Sequence, residues 1–232
     1  EREYCAISEL MHSPARPCAF VLGGAKVGDA FQMLETVLQS GAADRVLTGG
    51  LVANILLWAR GADIGEASRK VIAELGYDGL VEGAKGILSA HGERIALPVD
   101  VAYVEDGIRK ECPVGGLPAP QAIADIGRET LARYRAELTE ARTVFVNGPM
   151  GIFERAESSL GTRGVWEALG ETKAHTVIGG GDSLAAAKQF GVLEKMGTVC
   201  TGGGALIRFL TGEELPVVRA LRHGSALPQK GR

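Results

Sequence analysis

The 232-residue sequence is poor in aromatic side chains, and it has no long run of apolar residues. Aromatic residues make up 5% of the chain, and the formal net charge is −3. Proteins that bind nucleic acid usually present basic and aromatic surfaces, so this composition argues against a nucleic-acid partner. Because no stretch approaches about 18 consecutive apolar residues, the sequence predicts no membrane span.

Cysteine and histidine are also scarce, and neither is spaced as metal ligands usually are. The four cysteines include no CxxC pair, and the four histidines fall in different predicted elements. The scattered cysteines favour reduced thiols, which is typical of a cytoplasmic protein. The sequence therefore predicts a cytoplasmic location, and the histidines are interpreted as ordinary residues. These cysteines are Cys5, Cys18, Cys112 and Cys200.

Two common phosphate-binding signatures are missing. There is no GxxxxGK[ST] segment, which excludes a P-loop nucleotide site. There is no GxGxxG fingerprint either, which disfavours an oxidoreductase with a dinucleotide cofactor.

Glycine, in contrast, is abundant, and it recurs where short β-rich runs end. The chain has 33 glycines, about twice the usual share of roughly 7%. Five such runs end in glycine and precede a helical pattern, which predicts a doubly wound parallel sheet of Rossmann-like, three-layer α/β/α type. Because parallel strands end at one edge, the turns should form one cleft suited to a polyphosphate. The turns contain Gly23-Gly24, Gly49-Gly50, Gly148, Gly179-Gly180-Gly181 and Gly202-Gly203-Gly204.

The middle of the chain is less regular. Helical spacing predicts two helices at residues 66–75 and 79–90. Residues 94–104 alternate enough to predict one long strand, with Pro98 at a kink or an edge. Residues 105–121 are rich in proline and glycine and predict a loop. A short closing helix is predicted at residues 215–221.

Two charged residues in these turns are candidates for phosphate chemistry. Lys26 precedes a predicted helix, and a helix N-terminus disfavours a cation unless an anion is bound there. This favours a phosphate-binding role over that of a solvated surface lysine. Asp182 fits equally well as a helix N-cap or as a Mg²⁺ ligand beside a phosphate.

Other turn residues allow both a binding and a structural interpretation. Asn147 is either a ligand-facing residue or a plain turn residue. Glu154 could accept a ribose hydroxyl, and Ser183 could bind a phosphate or only occupy the first turn of a helix. The glycines at 202–204 form either an anion-binding nest or a tight strand–helix joint.

Taken together, six segments resemble the C-terminal, nucleotide-binding lobe of the phosphoglycerate kinase family, in the family's order. The resemblance implies one lobe of a two-lobe kinase, with residues 1–19 as inter-lobe helix and linker, 20–215 as the nucleotide-binding domain and 216–232 as a tail. Since the chain starts without Met, we expect a fragment. The segments are Gly23-Gly24-Ala25-Lys26-Val27, Thr48-Gly49-Gly50, Asp125-Ile126-Gly127, residues 146–154, Gly179-Gly180-Gly181-Asp182-Ser183 and residues 201–205.

The resemblance implies a glycolytic reaction, in which a phosphoryl group moves reversibly between 1,3-bisphosphoglycerate and ADP to give 3-phosphoglycerate and ATP, with Mg²⁺. In this family the acid substrate is held by the N-terminal lobe, which this chain lacks. We therefore expect the chain to bind Mg·ADP or Mg·ATP with little or no turnover. A non-catalytic module that binds a nucleotide or another phosphate is the alternative.

The resemblance also implies roles for individual residues. Lys26, Gly181 and Gly204 would act on the transferred phosphoryl group, and Asp182 would hold Mg²⁺. The implied nucleotide-binding set is Gly24, Ala25, Lys26, Gly49, Gly50, Asn147, Pro149, Glu154, Gly179, Gly180, Gly181, Asp182, Ser183, Gly202 and Gly203. A second lysine common in the family is replaced by Ala30, which suggests an archaeal-like sequence. The family's usual Trp-Met pair before Asp125 is also missing, so we expect a different adenine edge.

Overall fold

A computed structural model describes residues 2–202 and 204–210 of the chain. In that part, the helices are α1 (Arg2–His12), α2 (Val27–Gln39), α3 (Gly50–Ala59), α4 (Gly65–Glu74), α5 (Leu80–His91), α6 (Arg128–Glu140), α7 (Leu160–Glu171), α8 (Gly181–Gln189) and α9 (Gly204–Leu210). The strands are β1 (Cys18–Leu22), β2 (Arg45–Thr48), β3 (Ile95–Ala96), β4 (Asp100–Glu105), β5 (Ile108–Pro113), β6 (Ile123–Ile126), β7 (Thr143–Asn147), β8 (His175–Gly179) and β9 (Thr198–Cys200).

Six of these strands form one parallel sheet in the order β3-β2-β1-β7-β8-β9. The chain moves outward from β1 to β3, returns to the centre at β7 and then moves outward in the other direction. The predicted doubly wound sheet is therefore confirmed, with its topological switch point between β1 and β7. Ligands of such folds bind in the crevice beyond the carboxyl ends of the strands at this point.

The strands of this sheet are buried on both faces, so successive side chains enter two different cores. In β1, Phe20 and Leu22 pack with α1, α2, α3 and α9, whereas Val21 packs with α6, α7 and α8. Phe145 and Val146 divide between the same two cores in β7. The sheet is thus the middle layer of three, as predicted.

The prediction of one long strand at residues 94–104 is wrong. A short 3₁₀ turn, β3 and β4 occupy that stretch, and β3 belongs to the parallel sheet whereas β4 belongs to a separate three-stranded sheet of order β5-β4-β6. Pro98 lies between the two strands. Because proline cannot donate to a ladder, a break there agrees with its chemistry.

The prediction of a loop over residues 105–121 is also wrong in part. β4 and β5 form an antiparallel hairpin in which Glu105 pairs with Ile108. Its two-residue turn is Asp106-Gly107, and both residues have positive φ, 52° and 74°. An Asp-Gly pair with this geometry is a strong hairpin signal, so the sequence carried the information.

Several predictions concern residues outside the described part. The closing helix at residues 215–221, the tail at 216–232 and Gly203 all lie there. Within the described residues, no helix is both long and apolar enough to cross a membrane. All four cysteines are free thiols.

Candidate nucleotide site at the switch point

The switch point is built by close backbone contact between the turns that follow β1 and β7. The N–H of Gly23 donates to the carbonyl of Asn147 at 3.0 Å, and the N–H of Gly24 donates to that of Pro149 at 2.7 Å. Gly148 has a φ of 89°, and a Cβ there would overlap the carbonyl oxygen of Gly23. Only glycine satisfies both the positive φ and the close approach.

The turn after β2 joins the same assembly. The N–H of Gly50 donates to the carbonyl of Met150 at 2.7 Å, and the N–H of Leu51 donates to that of Gly24 at 3.2 Å. A Cβ on Gly49 would lie 2.6 Å from Sδ of Met150. The three turns are therefore locked together, and α3 begins directly beside Gly24.

The turn after β8 completes this group. α8 begins at Gly181, after Gly180 with a φ of 90°. Ser183 is fully buried, and its Oγ accepts a hydrogen bond from the N–H of Gly148 at 2.7 Å. Nδ2 of Asn147 donates to the carbonyl of Gly179 at 3.2 Å. Asn147 and Ser183 therefore fasten the β7 turn to the β8 turn.

Lys26 and Asp182 face each other across this junction. Nζ of Lys26 lies 3.5 Å from Oδ2 of Asp182, and the two side chains are 69% and 53% exposed. An ion pair this exposed contributes little to folding stability. Both groups are therefore available to a ligand at the N-terminal ends of α2 and α8.

A cavity of about 270 Å³ opens beside this ion pair, and we call it the polar cavity because charged side chains line it. It has one ammonium group in its lining and two carboxylates, because Asp29 in the first turn of α2 joins Asp182. Asp29 was not among the predicted site residues, although its position three residues after Lys26 on one helix face could have indicated it. The lining residues are Gly23, Gly24, Ala25, Lys26, Asp29, Asn147, Gly148, Gly180, Gly181, Asp182 and Ser183.

A second, mainly apolar cavity of about 390 Å³ adjoins the first and shares Gly24, Ala25 and Asp182 with it. Gly50, Pro149 and Glu154 also line this cavity, as do residues of α3, α4, β4 and β6. The small antiparallel sheet therefore supplies part of the cavity wall. Sequence reasoning missed this wall because it treated residues 105–121 as a loop and did not identify β6.

The outer edge of β6 is fixed by two side chains from the helices of this cavity. Oγ of Ser68 accepts from the N–H of Ile123 at 3.1 Å, and Nδ2 of Asn54 donates to the carbonyl of Ile123 at 3.4 Å. Both side chains are buried, at 2% and 4% exposure, and both line the cavity. They satisfy backbone groups that would otherwise lack a strand partner on that side.

Among the residues that line this cavity, Asp125 carries a buried carboxylate. Its Oδ2 accepts from the N–H of Gly161 and from Nη1 of Arg109, each at 2.8 Å, whereas its Oδ1 has no partner among the described residues. Burial raises the pKa of Asp125 to about 6, against the opposing effects of the Gly161 N–H and the Arg109 guanidinium. Arg109 comes from β5, so the hairpin is tied to the wall.

Other predicted site residues lie at strand ends but outside the linings of both cavities. A Cβ on Gly179 would overlap Cδ2 of Leu206, so this glycine permits tight packing of α9 against β8. Gly202 is exposed and Gly204 begins α9. The preceding Thr201 donates from its N–H and hydroxyl to Oε1 of Glu3, at 3.2 and 2.9 Å.

Ala30 is 2% exposed and belongs to the core between the sheet and α2. Alanine is therefore well accommodated at this point of the helix. The single cation of the polar cavity is Lys26, as far as the described residues show.

The fold and the site define a doubly wound, three-layer α/β protein whose glycine turns meet at the switch point. A family model described as phosphoglycerate kinase matches residues 1–213. The chain therefore belongs to the phosphoglycerate kinase family.

Individual relatives agree with this assignment. The chain is 40% identical to the phosphoglycerate kinase of Methanothermus fervidus, over 95% of this chain and 54% of that protein, and 42% identical to that of Pyrococcus abyssi, over 96% and 55%. The crystal structure of phosphoglycerate kinase from Pyrococcus horikoshii superposes with a TM-score of 0.89 at 40% identity, covering 95% of this chain and 55% of that one. These relatives are archaeal, and the chain spans about half of their length.

Proposed function

We propose that this chain is the nucleotide-binding lobe of a phosphoglycerate kinase. The observation that carries the proposal is the pair of adjoining cavities at the switch point. The polar cavity has the Lys26–Asp182 ion pair in its lining, and the other cavity is mainly apolar. An adenine nucleotide divides in the same way, into a charged phosphate chain and a largely apolar base.

The phosphates would occupy the polar cavity. The first N–H groups of α8 have no partner within the helix, and its dipole favours an anion at Gly180 and Gly181. The ammonium of Lys26 would contact the transferred phosphoryl group, with the glycines at 202–204 presenting further N–H groups to it. The hydroxyl of Ser183 can still donate a hydrogen bond to a phosphate, because its oxygen accepts one from the N–H of Gly148.

Asp182 would hold the Mg²⁺ that accompanies the nucleotide. Among the described residues there is no group of three or more His, Cys, Asp or Glu that could hold a metal on its own. This fits Mg²⁺, which is usually bound by one or two carboxylates together with substrate phosphates. When bound, the ion would neutralise phosphate charge. The carboxylate of Asp182 would then leave its ion pair with Lys26 and bind the ion.

The nucleoside would occupy the apolar cavity. Gly24, Ala25, Gly49 and Gly50 would lie beside the adenine, and Asn147 and Pro149 would border the nucleotide. The carboxylate of Glu154 would accept hydrogen bonds from the ribose hydroxyls, since it is a cavity-lining acceptor close to the polar end.

The complete protein would transfer a phosphoryl group between 1,3-bisphosphoglycerate and ADP in glycolysis. Such a transfer depends mainly on positioning and charge neutralisation, which the turns and Lys26 would supply on the nucleotide side. The acid substrate would be bound by the other lobe, which relatives of twice this length contain. By itself, the chain would bind nucleotide and turn over little, in the cytoplasm.

Calorimetric titration of the chain with ADP tests the proposal. We expect saturable binding with Mg²⁺ present and weaker binding after chelation with EDTA. Absence of binding under both conditions would refute it.

The alternative is a non-catalytic module that binds a nucleotide or another phosphate. The half-length match to the relatives favours it, because the chain corresponds to only about half of a phosphoglycerate kinase. Lys26→Ala in a full-length protein that carries this chain separates the two. Loss of turnover with near-normal ADP affinity supports the kinase, whereas an inactive wild type supports the module.

A further inference from the structure

Among the described residues, the amide of Asn54 makes one hydrogen bond, and that bond determines its orientation. The partner is the carbonyl oxygen of Ile123, which can only accept, so the nitrogen of the amide must face it. Oδ1 must therefore point away from Ile123. Ser68 occupies the neighbouring N–H of Ile123, which leaves no second donor there for the amide oxygen.

The oxygen of this amide opens into the apolar cavity. Asn54 is 4% exposed and lines the cavity, and its Oδ1 has no hydrogen-bond partner in the described chain. Among the described residues, Oδ1 of Asp125 is the only side-chain nitrogen or oxygen atom that is both inaccessible to solvent and without a hydrogen-bond partner. Oδ1 of Asn54 is therefore accessible to solvent, and we infer that it is accessible from the cavity that Asn54 lines.

Helix geometry places this acceptor one turn of α3 away from Gly50. Gly50, Ala53 and Asn54 share the cavity-facing side of α3, and Asn54 lies one turn, roughly 6 Å along the axis, beyond Gly50. Gly50 contacts Gly24, which also lines the polar cavity. A nucleotide whose phosphates lie beside Gly24 would therefore direct its base towards Asn54.

We propose that Asn54 is a specificity-determining residue that selects a 6-aminopurine over a 6-oxopurine. This inference rests on the proposed nucleotide site. Oδ1 accepts a hydrogen bond from the exocyclic amino group of adenine, and the second N–H of the amide is available to a ring nitrogen. An asparagine amide pairs with adenine in this way because adenine offers a donor next to an acceptor. A 6-oxo group would instead oppose oxygen to oxygen.

Competing ADP against IDP on the 232-residue chain, by calorimetry with Mg²⁺, tests the assignment. The two nucleotides share the ribose and both phosphates and differ at position 6 and in protonation of N1. We expect wild type to bind ADP about tenfold more tightly than IDP. Asn54→Leu, which keeps the size and removes both polar atoms, should bind the two equally, through a loss for ADP.

Ser68→Ala is the matched control. It removes the other side-chain hydrogen bond to Ile123 and leaves the amide of Asn54 intact, so it should keep the preference for ADP. A purely structural role of Asn54 predicts instead that both variants weaken ADP and IDP alike.

The wild-type comparison stands even if a variant does not fold. Equal affinities of wild type for ADP and IDP would overturn the role of Asn54 and leave the nucleotide site in place. Failure of wild type to bind either nucleotide would overturn the proposed function, and this inference with it.

Discussion

Nζ of Lys26 lies 3.5 Å from Oδ2 of Asp182, so that residues 156 positions apart in sequence place opposite charges at the N-terminal ends of two helices. β1 precedes one helix and β8 the other, and β7 separates these strands in the sheet. The pair therefore depends on the doubly wound topology. Because both side chains are exposed, each can leave this ion pair and bind a ligand instead.

Asp182→Asn should abolish the effect of Mg²⁺ on ADP affinity. The carboxylate is the proposed protein ligand of the ion, and an amide is a much weaker one. In wild type we expect Mg²⁺ to strengthen ADP binding about tenfold, and in the variant less than about twofold, measured by calorimetry. Asp106→Asn, the same change in the distant hairpin turn, serves as the control. An unchanged Mg²⁺ effect in the Asp182 variant would contradict the assignment.

Gly148→Ala should destabilise the fold and weaken ADP binding. The residue has a φ of 89°, and its Cβ would overlap the carbonyl oxygen of Gly23, so the β1 and β7 turns must separate. We expect a loss of about 2–4 kcal/mol in the free energy of unfolding, measured in urea. Gly28→Ala is matched to it, since Gly28 lies in α2 with open space around it. That change should be neutral or stabilise by up to about 1 kcal/mol.

Glu154→Gln should weaken ADP more than an analogue that lacks ribose hydroxyls. If the carboxylate accepts from the ribose, the affinity for ADP falls about fivefold to tenfold, and that for 2′,3′-dideoxy-ADP changes little. The comparison is a double-mutant cycle with the ligand as one partner. Glu157→Gln, an exposed neighbour outside both cavities, should affect neither nucleotide. Equal losses for both nucleotides with Glu154→Gln would exclude the ribose contact.

The buried carboxylate of Asp125 should make the folded protein less stable as the pH rises from about 4 to about 6. Its pKa is raised from 3.8 to about 6 in the folded protein, so the folded state holds the proton more tightly than the unfolded state does. Its contribution to the free energy of unfolding therefore falls as the pH rises from about 4 to about 6, by about 3 kcal/mol, and is constant above that.

Urea unfolding of Asp125→Asn and wild type across this pH range measures the effect. The variant cannot ionise, so its stability relative to wild type should increase as the pH rises. Asp63→Asn should show the opposite trend and at lower pH, below about 4, because the N–H of Gly65 and the Arg69 side chain lower the pKa of Asp63. A difference between Asp125→Asn and wild type that does not change with pH would show that this carboxylate does not titrate there.

Much of the architecture could be predicted because the relevant signals are local. The alternation of short β-rich runs, glycine turns and helical spacing depends on neighbouring residues, and it identified the parallel sheet correctly. The strand prediction at residues 94–104 was wrong because alternation alone does not say which sheet a residue joins. The Asp106-Gly107 turn, by contrast, is a local signal for the hairpin.

The sequence by itself determined which residues end the parallel strands, since glycine is required where φ is positive or backbones touch. It also placed Lys26 and Asp182 at the starts of helices. Only the tertiary structure decided that the sheet of β4, β5 and β6 forms part of the wall of the apolar cavity. It also decided that Asp29 lines the polar cavity and that Oδ1 of Asn54 faces the apolar one. Those outcomes depend on contacts between residues far apart in the chain, whose geometry is set by packing and by the need to satisfy buried polar groups.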